Sequence, residues 1–309
     1  MWMKFFVILS LCLCNLSKGK AQSNKDSLFK HVVKLSTWPY ARNFKHIEYL
    51  NKSASYIHDN FTVHCTRVFR QKFLVENQVV QNVIASFGPE LAPRIIIGAH
   101  YDVFGEAPGA DNNASGIAGL LELSRLLTKI DKNLLYRIDL VAYTLGEPPF
   151  FNTKDMGSYH HALSLVENKV EVIGMINLQG IGYFTDRPKS QRYPLFLYRL
   201  LYGHRGNFIA VIQKNGQGNW PNRMNYLFKQ YIQGLKYIHV KPWITFKALY
   251  QSDHKNFWDL GIPAITITNT GYFRNKNFHR DTDTYETLDY FRMAKVIDMV
   301  FKSIVHFRP

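Results

Sequence analysis

The chain has 309 residues, 46% of them hydrophobic and 20% charged, and a formal net charge of +15. That composition excludes a disordered, collagen-like or disulfide-stapled protein, and the length allows one large α/β domain or two smaller ones. The Lys and Arg residues read as scattered over a solvated surface, and with no nucleic-acid motif beside them, nucleic acid is not an expected partner.

In chain order, the first segment reads as an export signal. Lys4 gives a positive start, Phe5 to Cys14 is an unbroken apolar run, and Gly19 and Ala21 place small residues before a cleavage point between Ala21 and Gln22. The run is too short for a membrane anchor. The expectation is a leader at 1–21, a single domain at 22–309, and a protein that is periplasmic or secreted with no transmembrane anchor. Removing Lys4, Lys18 and Lys20 lowers the charge to +12 and leaves Cys65 as the lone cysteine, so no internal disulfide is expected.

Residues 26–60 read as helical, with Ile47, Leu50, Ala54 and Ile57 at helical spacing. Residues 61–88, from Phe61-Thr-Val to Val83-Ile84, predict two or three strands. Arg94-Ile-Ile-Ile-Gly and Ile138–Leu145 are buried-strand runs separated by an apolar helix over Gly116–Leu127. Ser158–Val166 reads as helix, Val172–Leu178 and Ala264–Thr268 as core strands, and Met293–Val305 as a closing amphipathic helix. Strands alternating with helices predict an α/β three-layer sandwich with a mixed, mostly parallel central sheet. Ligand sites in such folds lie at the carboxyl ends of the strands.

Those ends carry the polar residues. They are Ala99-His100-Tyr101-Asp102, then Pro108-Gly-Ala-Asp111-Asn112-Asn113-Ala-Ser115-Gly116, Leu145-Gly146-Glu147-Pro148-Pro149, and Leu178-Gln179-Gly180, with Asn277-Phe278-His279 after the last core strand. His-x-Asp alone is a weak signal. Together with Ser252-Asp253-His254, Arg274-Asn275 and the segment from His279 to Asp289, these motifs resemble the zinc exopeptidases that include aminopeptidase Y and bacterial leucyl aminopeptidase. Glutaminyl cyclase and the transferrin receptor ectodomain are more distant relatives. The resemblance runs from about Tyr40 to Ile304.

For active members, the resemblance implies two zinc ions sharing a bridging aspartate and a water, a Glu-Glu pair whose first member is the general base, a further acidic ligand and two histidines. Here His100, Glu147 and His279 fit retained metal ligands, with Asp102 and Asp253 supporting them from behind. Asn112 stands at the bridging aspartate, Gly146 at the general base and Gln179 at the acidic ligand. Losing a general base alone typically costs roughly 100- to 10,000-fold in rate, and two divalent cations need anionic ligands that an amide does not supply. Asp111 and Glu106 are weak substitutes, Asp111 because neighbouring side chains point apart.

The expected function is therefore an exported aminopeptidase scaffold without an intact catalytic residue, holding no zinc or one zinc weakly. Its old cleft would bind peptide or protein N-termini. The alternative is a working metallo-aminopeptidase with one residual zinc.

Overall fold

The computed structural model describes residues 22–242 and 252–308; the expected leader lies outside them. Two helices come first, α1 (Lys25–Ser36) and α2 (Ile47–His64), followed by the hairpin β1 (Val68–Val75) and β2 (Gln78–Phe87). Then come β3 (Arg94–His100), α3 (Ser115–Leu127), β4 (Arg137–Tyr143), α4 (Gly157–Glu167) and β5 (Val172–Gln179). The second half holds α5 (Phe196–Tyr202), β6 (Phe208–Gln213), α6 (Trp220–Tyr231), β7 (Lys236–Val240), α7 (His254–Asp259), β8 (Ala264–Thr268) and α8 (Tyr290–His306).

The eight strands make one sheet in the order β1-β2-β4-β3-β5-β8-β6-β7. The four in the middle, β4, β3, β5 and β8, are mutually parallel, while β1, β2 and the β6–β7 pair join antiparallel at the two sides. The expected mixed, mostly parallel α/β sandwich is the fold observed. The central strands have helices on both faces, so burial runs along them rather than alternating. All seven residues of β4 and all five of β8 are buried. Leu28, Leu50, Ile57, Leu123, Met224 and Ile297 from α1, α2, α3, α6 and α8 pack on one face. Ala162, Phe257 and Trp258 from α4 and α7 pack on the other.

Two boundaries differ from the sequence reading. The helix expected over 26–60 is two helices, because Pro39 removes a backbone donor and biases Trp38 away from helix. Asn24 starts the first, its side chain accepting from the backbone N–H groups of Asp26 and Ser27. Phe61-Thr-Val, expected in a strand, is the last turn of α2. Leu50, Ala54, Ile57 and Phe61 form one buried helical stripe at spacings of four, three and four. Among the described residues, no helix is long and apolar enough to cross a membrane.

Candidate active-site cleft

Because β3, β4, β5 and β8 are parallel neighbours, their carboxyl ends open on the same edge of the sheet. His100 ends β3 opposite Tyr143 at the end of β4, and Gln179 ends β5 opposite Thr268 of β8. Gly146 and Glu147 follow β4 by a short turn. Asn112 sits in the loop that enters α3, next to Asn113 through a cis peptide bond. His279 arrives from the loop after β8 with a positive φ of 62°, its ring stacked between Phe104 and Phe278.

Arg42 fixes the loop after β3 from below. Fully buried, it donates to the carbonyls of Tyr101, Leu35, Pro108 and Gly109. Burial pulls this guanidinium down to about 10, against the charges of Asp283, Asp102 and Glu147. Asp283 in turn accepts from the backbone N–H groups of Asp111 and Asn112, both at 3.1 Å. Burial and the neighbouring Asp111 charge push the Asp283 carboxyl up to about 7.

One directed chain of hydrogen bonds runs through the centre. Asn177 donates to Ser252 Oγ at 2.9 Å, and Ser252 donates to Gln179 Oε1 at 2.8 Å. Gln179 Nε2 donates to Asn112 Oδ1 at 2.7 Å, and Asn112 Nδ2 donates to Glu147 Oε1 at 2.5 Å. The same Glu147 oxygen lies 3.1 Å from His279 Nε2, which as the donor must carry the hydrogen. Each amide has one defined orientation, because turning Asn112 over would set its oxygen against the Glu147 carboxylate.

His100 lies behind this chain, its Nε2 3.9 Å from Glu147 Oε1. Its Nδ1 is 3.2 Å from the Asp102 carbonyl and 3.4 Å from the Asp102 carboxylate. Burial lowers the His100 pKa, but the hydrogen bond and charge of Asp102, together with Glu147 and Asp253, outweigh it and hold the imidazole at about 9. Asp102 also accepts from the backbone N–H groups of Gly146 at 2.8 Å and Glu147 at 3.0 Å, so it sets the turn that aims Glu147. Asp253 is fully buried beside His100, and that burial raises its carboxyl to about 6.

The structure thus brings His100, Asn112, Glu147, Gln179 and His279 into one neighbourhood, with Asp102 and Asp253 behind them. Asp111 points away: its carboxylate accepts from Gly182 N, Tyr183 N, Asn269 and Asn275. Glu106 is exposed and pairs with Lys45 and His46 outside the centre. Gly146 leaves no space for a side chain, since a Cβ there would stand 2.6 Å from His100 Cβ and 2.7 Å from its Cγ. Sequence reasoning missed Arg42 and Asn177. The polar residue inside the apolar run Met175-Ile-Asn-Leu was the available signal, because a buried amide needs partners.

The donor set does not fit a dinuclear zinc centre. One central carboxylate, two imidazoles and two amides converge; the Asn112 N–H points at the carboxylate, and the Gln179 N–H points at the Asn112 amide oxygen. Among the described residues, no three His, Cys, Asp or Glu side chains are grouped so that they could hold a metal ion. The centre opens into a cleft of about 470 Å³ whose far wall is aromatic, with Tyr193, Tyr198, Tyr202, Phe208 and Tyr272.

The comparisons with known proteins agree with this fold. The chain is 39% identical over 287 residues to the uncharacterized protein YfbL of Escherichia coli (strain K12), covering 90% of this chain and 87% of that one. It is 26% identical over 247 residues to a probable zinc metalloprotease of Leptosphaeria maculans, covering 73% of this chain and 54% of that one. In fold it is similar to the LapA aminopeptidase of Legionella pneumophila, with a TM-score of 0.71, 18% identity and coverage of 91% of this chain and 71% of that one. The model of Peptidase family M28 matches residues 82–304, and the chain belongs to that family.

Proposed function

We propose that this is an exported member of the M28 family whose centre no longer performs two-zinc hydrolysis, and whose cleft binds peptide or protein N-termini without cleaving them. The observation that carries the reading is the closed hydrogen-bond chain Gln179–Asn112–Glu147–His279. In it, N–H donors satisfy the one central carboxylate. Buried polar groups that satisfy each other give a stable site that needs no ion. Gly146 adds the second half of the argument: with no side chain at the base position and His100 filling the space, nothing at that position accepts a proton from water.

The losses are also compatible with folding. Amides replace acids of the same shape at positions 112 and 179, which removes like-charge repulsion around Glu147. Aromatic walls and a partly exposed His279 leave a cleft able to take an apolar side chain next to a polar end.

The test is zinc stoichiometry of the purified protein after dialysis against trace zinc, together with hydrolysis of aminoacyl chromogenic substrates with and without chelator. The expected result is zinc near zero and turnover equal to the metal-free control. Chelator-sensitive turnover, or one to two tightly held zinc ions per chain, would establish the active metallo-aminopeptidase instead.

A further inference from the structure

The positive charge of this chain is not scattered, as the whole-chain reading held. Between Arg187 and Ser252 there are eleven Lys and Arg residues and no Asp or Glu. That single stretch carries +11 of the net +15. Ten of those cations lie in described residues, on, between or just after α5, β6, α6 and the edge strand β7 or in the loop that leads into α5.

Helix α5 lies in that stretch with two unlike faces. Tyr198 is buried, and with Tyr202 it lines the cleft. On the other face Phe196, Leu197, Leu200 and Leu201 are 71, 50, 68 and 62% exposed. At positions i, i+1, i+4 and i+5 they form one contiguous apolar surface. Single exposed apolar residues need no explanation, but four together on two turns of helix do. Arg192 and Arg205 lie just beyond the two ends and Arg199 on the helix itself, all exposed.

We propose that α5 docks this protein onto an anionic lipid bilayer, with Phe196, Leu197, Leu200 and Leu201 inserted below the headgroups and Arg192, Arg199 and Arg205 at the phosphates. Three considerations select the bilayer over other occupants. The apolar side chains protrude from a short helix rather than line a groove, so they suit a fluid phase that needs no matching shape. A second copy would bring two strongly basic stretches together, and these repel. A soluble acidic polymer would satisfy the arginines and leave the leucines and Phe196 in water. Arginine at the lipid phosphates and apolar residues beneath them satisfy both features at once. Because Tyr198 and Tyr202 belong to the same helix, docking would set the cleft mouth at the membrane surface.

The experiment is co-sedimentation of the full chain, as the cell produces it, with vesicles of phosphatidylcholine alone or mixed with phosphatidylglycerol, at low and physiological salt. Two double variants are compared with the parent, Leu197→Ser with Leu200→Ser and Arg192→Gln with Arg199→Gln. All four positions are exposed, and unchanged circular dichroism and unfolding temperature establish that each variant is folded. The expected result is binding that requires phosphatidylglycerol and is weakened roughly tenfold or more by either double variant. No binding to the anionic vesicles overturns the proposal. So does binding that the leucine variant leaves unchanged, which would mark a purely electrostatic contact with any acidic polymer. A concentration-dependent dimer abolished by the leucine variant would overturn it in favour of self-association.

Discussion

Position 146 decides how reversible the change at the centre is. Restoring a general base there requires not only a carboxylate but also a displaced His100, whose Cβ and Cγ occupy the space. Gly146→Ala is therefore expected to destabilise the fold by about 1–3 kcal/mol, as overpacking does, measured as a shift in the denaturant midpoint. Asn112→Asp tests the other half of the centre. It replaces the N–H that faces Glu147 at 2.5 Å with an oxygen, so in chelator the variant is expected to lose about 1–3 kcal/mol. Added zinc should recover part of that loss, and a variant as stable as the parent in chelator would contradict the hydrogen-bond chain. The identities of Asn112, Gly146 and Gln179 were legible in the sequence, because losing an acid shows in the letters alone. How His100 fills the space beside Gly146, and which way each amide points, are properties of packing that no single position encodes.

At the scale of elements, the loop after β3 depends on Arg42, between α1 and α2. Arg42→Met leaves the carbonyls of Tyr101, Leu35, Pro108 and Gly109 without their donor. The expected cost is about 3–5 kcal/mol, with protease sensitivity appearing between residues 101 and 109. On the opposite face α4 carries His161, which burial holds down at about 4 while its Nδ1 contacts the Tyr143 hydroxyl at 3.0 Å. Below pH 6.5 the unfolded chain takes up the proton and the native one does not. The His161 contribution to stability is therefore full above that pH and is lost as pH drops towards about 4. His161→Gln should flatten this slope and leave the part due to His31, which burial also lowers to about 4. A slope unchanged by His161→Gln would place the acid sensitivity elsewhere. Strands β3, β4, β5 and β8 were legible as apolar runs, and α3 and α8 as apolar and amphipathic helices. Helix α5 was not, because Tyr198 and Tyr202 face the protein while Phe196, Leu197, Leu200 and Leu201 face out. A helix apolar on both sides has no amphipathic period to read. Strand β6, Phe208–Gln213, is a buried run like the others and was available to the same reasoning.

At the scale of the whole molecule, the proposed function requires that stability come from the sheet and its two helical layers without help from a bound cation. A ligand that binds only the folded state at a thousand times its Kd adds about 4 kcal/mol. For a domain somewhat larger than 150–250 residues that corresponds to several degrees in unfolding temperature, at about 2–4 °C per kcal/mol. The closed chain around Glu147 offers zinc one central carboxylate whose hydrogen bonds must first be broken, and the net charge of +15, or +12 without the expected leader, repels cations at long range. The unfolding temperature is therefore expected to be the same in excess zinc and in excess chelator, read by calorimetry. A rise of several degrees in zinc that Glu147→Gln abolishes would show that the centre opens to take the ion, and that its hydrogen bonds are a resting arrangement of a metal site rather than its replacement.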